Sequence, residues 1–301
     1  MSKEFQQIEW DERTADDCRH IIRRAIREDL EESYDLTTRA LVAPESRGKA
    51  NVVVREPGVV AGLPAAQLVV QEMNLNATFE VREQDGSRVA GPTCIAEFSG
   101  STGDLLTAER LMLNLLGRLS GIASLARRYV DRVAETRAAI YDTRKTTPGW
   151  RRLEKYAVRC GGGRNHRTGL FDAVLIKDNH LAQGDRSPAD AVRHARHFLE
   201  TSVPGREHAM VEIEVDTWEQ FEQVLDARPD IVLLDNMSPD QMRQAVQLRD
   251  DLGVATELEA SGGITLERVG EVARCGVERI SVGALTHSAT TLDIGLDWVL
   301  V

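Results

Sequence analysis

The chain has 301 residues, with 37 Lys+Arg against 48 Asp+Glu for a formal charge of −11, and 42% of its residues are hydrophobic. That length suits one large domain or two ordinary ones, and the mixed apolar content lies far from the composition of a disordered chain. The acid excess argues against a general polyanion binder, because nucleic-acid affinity rests on clustered Lys and Arg facing phosphates. No stretch approaches the roughly 18 apolar residues that cross a bilayer, and the first ten residues carry no apolar core of signal-peptide length. A cytoplasmic protein with neither nucleic-acid nor membrane partners is therefore expected. Cys18, Cys94, Cys160 and Cys275 lie far apart with no Cys-x-x-Cys pair, which predicts reduced, mostly buried thiols.

Residues from about Thr14 to Glu32 place Ile21, Ile22, Ala25, Ile26 and Leu30 at helical spacing among charges, predicting an amphipathic helix. Strand-like runs follow at 49–55, 59–61, 77–83 and 93–98, separated by Pro57-Gly58, Gly62 with Pro64, Asp85-Gly86 and Gly91-Pro92. Such punctuation marks turns, so the first 120 residues read as an antiparallel sheet with a helix or two packed on it. From Leu105 a long helical pattern runs toward Thr136, with a break or kink expected near Gly117 or Gly121.

Beyond it the rhythm changes. Apolar strands at 138–141, 173–176, 210–215, 231–234, 256–259 and 279–282 alternate with helix-length segments near 149–160, 187–200, 217–227, 238–251 and 265–275. Strands separated by helices imply parallel pairing, in an open wound sheet or a barrel. Polar groups favour the barrel. Asp142, Arg144 and Lys145 follow the first strand, Lys177 closes the second, Glu214 lies in the third and Asp235 ends the fourth. Glu259 and Ser261 end the fifth, and Gly283 follows the sixth. Charges collected from nearly every strand end describe a ring around one site, as on the reactive face of β/α barrels. No Gly-x-Gly-x-x-Gly or Walker sequence follows a strand, which excludes those nucleotide sites.

The segment from Asp142 to Arg167 holds eight basic residues and two acids, a local +6 within a chain of −11. Arg151, Arg152, Lys155 and Arg159 read as the solvated face of a helix. Arg144, Lys145, His166 and Arg167 instead flank glycine- and proline-rich loops at a strand end, and their convergence suits a ligand with more than one negative charge. Lys177 is open to three roles: partner of a neighbouring carboxylate, Schiff-base nucleophile, or further anion anchor. Glu214 and Asp235 put carboxylates on adjacent strand ends, the hard-oxygen donors that Mg²⁺ uses in phosphate-handling sites, or alternatively ion-pair partners for the cations opposite. Two glycine-bearing loops, Ser261-Gly262-Gly263 and Gly283-Ala284, follow the final strands, where barrels bind phosphate through backbone N–H groups.

The same residues fall in ordered motifs: Thr107–Asn114 with Leu119–Ala123, Asp142–Gly149, Gly161–Arg167, Lys177–His180, Glu212–Asp216, Leu234–Pro239 and Ser261–Ile264. Through them the chain resembles the quinolinate phosphoribosyltransferases, in order from Asp35-Leu36-Thr37-Thr38 almost to the end of the sequence. The resemblance implies an α/β fold: an incomplete β/α barrel over 121–285 and an N-terminal α/β sandwich domain over 1–120, rejoined by 286–301. It further implies a homodimer or higher homo-oligomer with the active site shared between subunits. Carried over by motif, the quinolinate pocket comprises Arg144, Lys145, His166, Arg167 and Lys177, plus Arg110 from the neighbouring subunit, to which nothing in the spacing alone points. Phosphoribosyl diphosphate would lie over Glu214 and Asp235 with Mg²⁺, its 5′-phosphate held by Ser261, Gly262, Gly263, Gly283 and Ala284. Lys145, Lys177, Glu214 and Asp235 become the expected catalytic residues. The implied reaction is phosphoribosyl transfer to quinolinate with decarboxylation, giving nicotinate mononucleotide, pyrophosphate and CO₂ in de novo NAD biosynthesis. A Schiff-base aldolase using Lys177, a phosphoribosyltransferase for another ring and a non-catalytic anion-binding module are the competing readings.

Overall fold

Two units share the chain by turns. The computed structural model describes residues 4–184 and 186–299; one unit takes 7–127, 145–163 and 285–299, the other 4–6, 128–144 and 164–284. In chain order, the first half contributes α1 (Glu12–Leu30), α2 (Leu36–Leu41), β1 (Arg47–Val54), β2 (Gly58–Val59), α3 (Leu63–Glu72), β3 (Ala77–Val81), β4 (Arg88–Val89), β5 (Thr93–Ser101) and α4 (Thr102–Val133). The second contributes β6 (Ala139–Tyr141), α5 (Arg151–Cys160), β7 (Ala173–Ile176), α6 (Asp178–Gly184), α7 (Pro188–Ser202), β8 (Met210–Val215), α8 (Trp218–Leu225), β9 (Ile231–Asp235), α9 (Pro239–Asp251), β10 (Glu257–Ser261), α10 (Val269–Ala273), β11 (Arg279–Ser281), α11 (Ala284–His287) and β12 (Ile294–Trp298). No described helix is long and apolar enough to cross a membrane.

The first unit is built on an antiparallel sheet of order β12-β1-β5-β3. Along β1 the alternation buries Ala50, Val52 and Val54, the period-two pattern of a strand with one face on a core. Its outer neighbour β12 comes from far along the chain and pairs Leu296 with Val52. The expected kink in α4 is absent, since Thr102–Val133 is one helix. Gly117 and Gly121 serve close approach instead: Leu292 donates its N–H to the Gly117 carbonyl at 3.0 Å, and a Cβ on Gly121 would overlap the Thr290 carbonyl oxygen.

The expected solvated face of α5 is also corrected. Lys155 and Glu154 are fully buried, Glu154 pairing with Arg118 at 2.7 Å, while Arg159 reaches Glu9 at 2.6 Å and Arg152 reaches Asp11 at 3.4 Å. Tyr156 donates to Asp85 at 2.7 Å, and the same carboxylate accepts the N–H groups of Gly62 and Leu63. These acidic partners draw α5 into the first unit, so the +6 stretch is divided: 145–163 lies in this unit, and 142–144 with 164–167 in the other.

The second unit is a parallel sheet of order β6-β11-β10-β9-β8-β7, with helical crossovers. Its edge strands β6 and β7 are not paired with each other among the described residues, which leaves the barrel incomplete. The crossovers start on caps legible in the sequence. Ser187, Thr217 and Ser238 each accept a backbone N–H from the first turn of α7, α8 and α9, and Gln241 completes a capping box with Ser238.

Candidate active site

Register fixes which side chains share the barrel interior. In β8 and β9, Glu212 pairs with Ile231 and Glu214 with Leu233; β10 pairs Glu259 with Leu233 and Ser261 with Asp235. Paired residues face the same side, and so do residues two apart, so Glu212, Glu214, Asp235, Glu259 and Ser261 line one face. The intervening Val211, Ile213, Val232, Leu234, Leu258 and Ala260 are buried on the other.

At the rim of that face, Lys177 follows β7 and its Nζ forms an ion pair with Glu214, while its backbone N–H donates to His180 Nδ1 at 2.9 Å. Asp235 accepts from the Asn236 side chain at 2.8 Å, and the Asn236 N–H donates to the Ser261 carbonyl at 3.0 Å, tying the ends of β9 and β10. Asn236 occupies the left-handed region at φ 55°, and Gly262 follows at φ 92°, where a Cβ would strike the Asn236 amide. Gly263, at φ 58°, has open space around its Cβ position. This exposed turn presents backbone where a phosphate-sized group could approach.

One layer deeper, Asp142 is fully buried at the end of β6 and organises the segment beside it. Its carboxylate accepts from the Asn165 amide at 2.6 Å and from the His166 backbone N–H at 2.9 Å, while its own N–H donates to the Arg164 carbonyl at 3.0 Å. His166 Nδ1 accepts the Arg167 N–H at 2.8 Å, and Nε2 lies 2.9 Å from Glu212 and 3.6 Å from Glu259. Burial and the adjacent Glu212 charge push the Glu259 carboxyl up to about 7, against the opposing pull of His166. Arg167 is also buried; desolvation, then the neighbouring charge of Arg144, lowers its pKa from the usual guanidinium value. The desolvated Arg167 guanidinium beside the half-buried Arg144 offers positive charge that suits an anion.

Among the residues expected from the sequence, the barrel unit thus brings together Lys177 with Glu214, Arg144 with Arg167, and Asp235 with Ser261 and Gly262. Gly283 and Ala284 follow β11, half-buried, with Ala284 opening the four-residue α11. Arg110 and Lys145 belong to the first unit; both are exposed, and the Lys145 carbonyl accepts the Thr286 hydroxyl at 2.7 Å. The sequence reading did not single out the structural roles of Asp142, Glu212 and Glu259. The available signal for the last two was a carboxylate with apolar neighbours on both sides within a strand, Val211 and Ile213 around Glu212 and Leu258 and Ala260 around Glu259, a costly placement unless it has a partner.

An incomplete β/α barrel whose strand ends collect paired cations, carboxylates and a glycine turn defines a barrel enzyme for anionic substrates. Two family models cover the chain: quinolinate phosphoribosyl transferase, N-terminal domain, over residues 35–120, and the C-terminal domain of the same enzyme over 122–297. The chain belongs to this quinolinate phosphoribosyl transferase family. It is 45% identical over 284 residues to the nicotinate-nucleotide pyrophosphorylase [carboxylating] of Mycobacterium leprae, covering 94% of this chain and 97% of that one. It is 39% identical over 266 residues to a probable enzyme of the same name from Bacillus subtilis, covering 88% of each. Among solved structures, the nicotinate-nucleotide pyrophosphorylase from Francisella tularensis superposes with a TM-score of 0.87 at 32% identity, covering 99% of this chain and 100% of that one. NadC from Streptococcus pyogenes gives 0.84 at 37%, covering 93% and 96%.

Proposed function

We propose that the protein transfers a phosphoribosyl group from 5-phosphoribosyl 1-diphosphate to quinolinate with decarboxylation, yielding nicotinate mononucleotide, pyrophosphate and CO₂ in de novo NAD biosynthesis. The observation that carries this reading is the cation set of Arg144, Arg167 and Lys177 in the barrel unit of a chain that matches both family domains. A pyridine dicarboxylate accounts for several cations in one site. The family motifs add His166, Lys145 and, from a second subunit, Arg110, so the working unit is a homodimer or larger homo-oligomer acting in the cytoplasm.

The ring nitrogen attacks ribose C1′ as the bond from C1′ to pyrophosphate breaks, and positive charge develops on the ribose. Glu214 and Asp235 face that charge, an electrostatic contribution of about a few kcal/mol per well-placed group. Their donor set also fits Mg²⁺, being two hard carboxylates on one face of adjacent strands. When bound there, the ion would offset the charge of the departing pyrophosphate. The Lys177–Glu214 ion pair favours a charge-pairing and anion-anchoring Lys177 over a Schiff-base nucleophile, which needs a free amine. Ser261 to Gly263, with Gly283 and Ala284, would receive the 5′-phosphate. Once the nitrogen is quaternised, the adjacent carboxylate leaves as CO₂, its electron pair stays on the ring carbon beside the cationic nitrogen, and a proton replaces it.

Incubation with quinolinate, phosphoribosyl diphosphate and Mg²⁺ should form nicotinate mononucleotide, with no CO₂ released until the diphosphate is added. Release without it would overturn the order of steps, and a preference for nicotinate would overturn the substrate. Arg110→Ala and Lys177→Ala proteins, each nearly inactive, should regain activity when mixed; failure despite heterodimer formation would refute the shared site.

A further inference from the structure

The motifs leave the start of the chain unexplained, yet Glu4 and Phe5 pack into the barrel unit. Phe5 is 6% exposed and clusters with Tyr141, Ala173, Met210 and Ile231. The last three are the first residues of β7, β8 and β9, so the Phe5 ring lies at the amino-end floor of the barrel. Its other neighbour is His166, with ring centroids 4.3 Å apart and planes inclined by 33°, a close tilted contact.

Glu4 holds this ring in place. Its carboxylate accepts the Tyr141 hydroxyl at 2.7 Å, pairs with Arg164 at 3.1 Å and Arg279 at 3.2 Å, and accepts the Phe5 N–H at 2.9 Å. Arg279, 2% exposed, also pairs with Glu257 and lies over the rings of Phe5 at 5.4 Å and Tyr141 at 4.6 Å. This arrangement gives Arg164 a role at the barrel floor.

We propose that Phe5 is a positioning residue for His166, the floor on which the substrate-binding imidazole rests; the proposal depends on the reading of His166 given above. Contacts at the two ring nitrogens, with the Arg167 N–H and with Glu212, fix His166 within its own plane. They resist tilting of the ring much less, because hydrogen bonds soften with angle, whereas a second ring in van der Waals contact with the imidazole blocks its movement toward that side. Phe5 supplies that contact, and because the Arg167 N–H bonds to the same imidazole, a tilt of His166 would reach the adjacent guanidinium-bearing residue. The opening residues of the chain thereby set the geometry of the quinolinate pocket.

The test compares Phe5→Leu, which keeps apolar volume and loses the flat ring, with Glu4→Gln, which keeps an acceptor for Tyr141 and breaks the ion pairs with Arg164 and Arg279. In Phe5→Leu the KM for quinolinate should rise about tenfold while that for phosphoribosyl diphosphate stays within twofold; Glu4→Gln should show the same split, about threefold. Equal changes in both KM values, or no change in either variant, would overturn the proposal. Should Phe5→Leu fail to fold, the Glu4→Gln split decides alone. In the unliganded protein the His166 ring protons should lose the Phe5 ring-current shift in Phe5→Leu, and unchanged NMR positions would refute the contact. Wild-type protein that makes no nicotinate mononucleotide defeats the functional reading instead; active wild type with an indifferent Phe5→Leu defeats only the role of Phe5.

Discussion

Replacing Asp142 separates the scaffold of the site from its chemistry. The residue is fully buried, and its carboxylate accepts from the Asn165 amide and from the His166 backbone N–H, groups belonging to residues 0% and 5% exposed. Asp142→Ala strips the acceptor from both. A buried donor left without a partner costs about 1–3 kcal/mol, so the two together should destabilise the protein by about 4 kcal/mol. Asp142→Asn keeps an oxygen for the His166 N–H, and the Asn165 amide can turn its own oxygen toward the new amide, so the loss should fall to about 1–2 kcal/mol. Denaturant midpoints at constant slope measure the stabilities. Steady-state kinetics should show the quinolinate KM rising in the order wild type, Asn, Ala, because the 164–167 segment is anchored at this carboxylate. Equal stabilities for Asn and Ala, or an Ala variant within about 0.5 kcal/mol of wild type, would refute the assignment.

Two further expectations concern neighbouring elements. The folded Glu259 carboxyl titrates near 7 against 4.5 when unfolded, so the native state holds the extra proton in that window and stability falls as pH rises through it. Glu259→Gln lacks this loss and should gain about 3 kcal/mol relative to wild type between pH 4.5 and pH 8, read from denaturation at each end; a pH-independent difference would sink the argument. Gly262→Ala must adopt φ 92° against the Asn236 amide, so it should raise the KM for phosphoribosyl diphosphate about tenfold or more and leave that for quinolinate within twofold. Parallel effects on both substrates would show that the turn is not the phosphate subsite.

The barrel strands were legible because runs such as Met210–Val215 and Ile231–Asp235 are buried on both faces and bounded by capped helices. Lys177 and Glu214 were legible because a charge at the end of an apolar strand is conspicuous. Sequence spacing failed where a residue's role depends on a distant segment. Gly117 and Gly121 carry the mark of a helix break, and only the passage of residues 290–292 across them explains an unbroken α4. Lys155 has the pattern of a solvated helix face, yet the packing around α5 buries it. Phe5 gave no signal at all, since a lone aromatic followed by polar residues has no period to read.

The pairing of β1 with β12 has a consequence for synthesis. About 240 residues separate Val54 from its partner Ile294. At roughly 5–20 residues per second, a ribosome needs on the order of ten to fifty seconds to deliver the second strand after the first. For that interval one side of β1 has its backbone donors and acceptors without their final partners, the condition under which strands join foreign edges. The nascent chain therefore carries an open sheet margin for most of its elongation, and slowing translation after β5 should raise its demand for chaperones more than slowing it before β1.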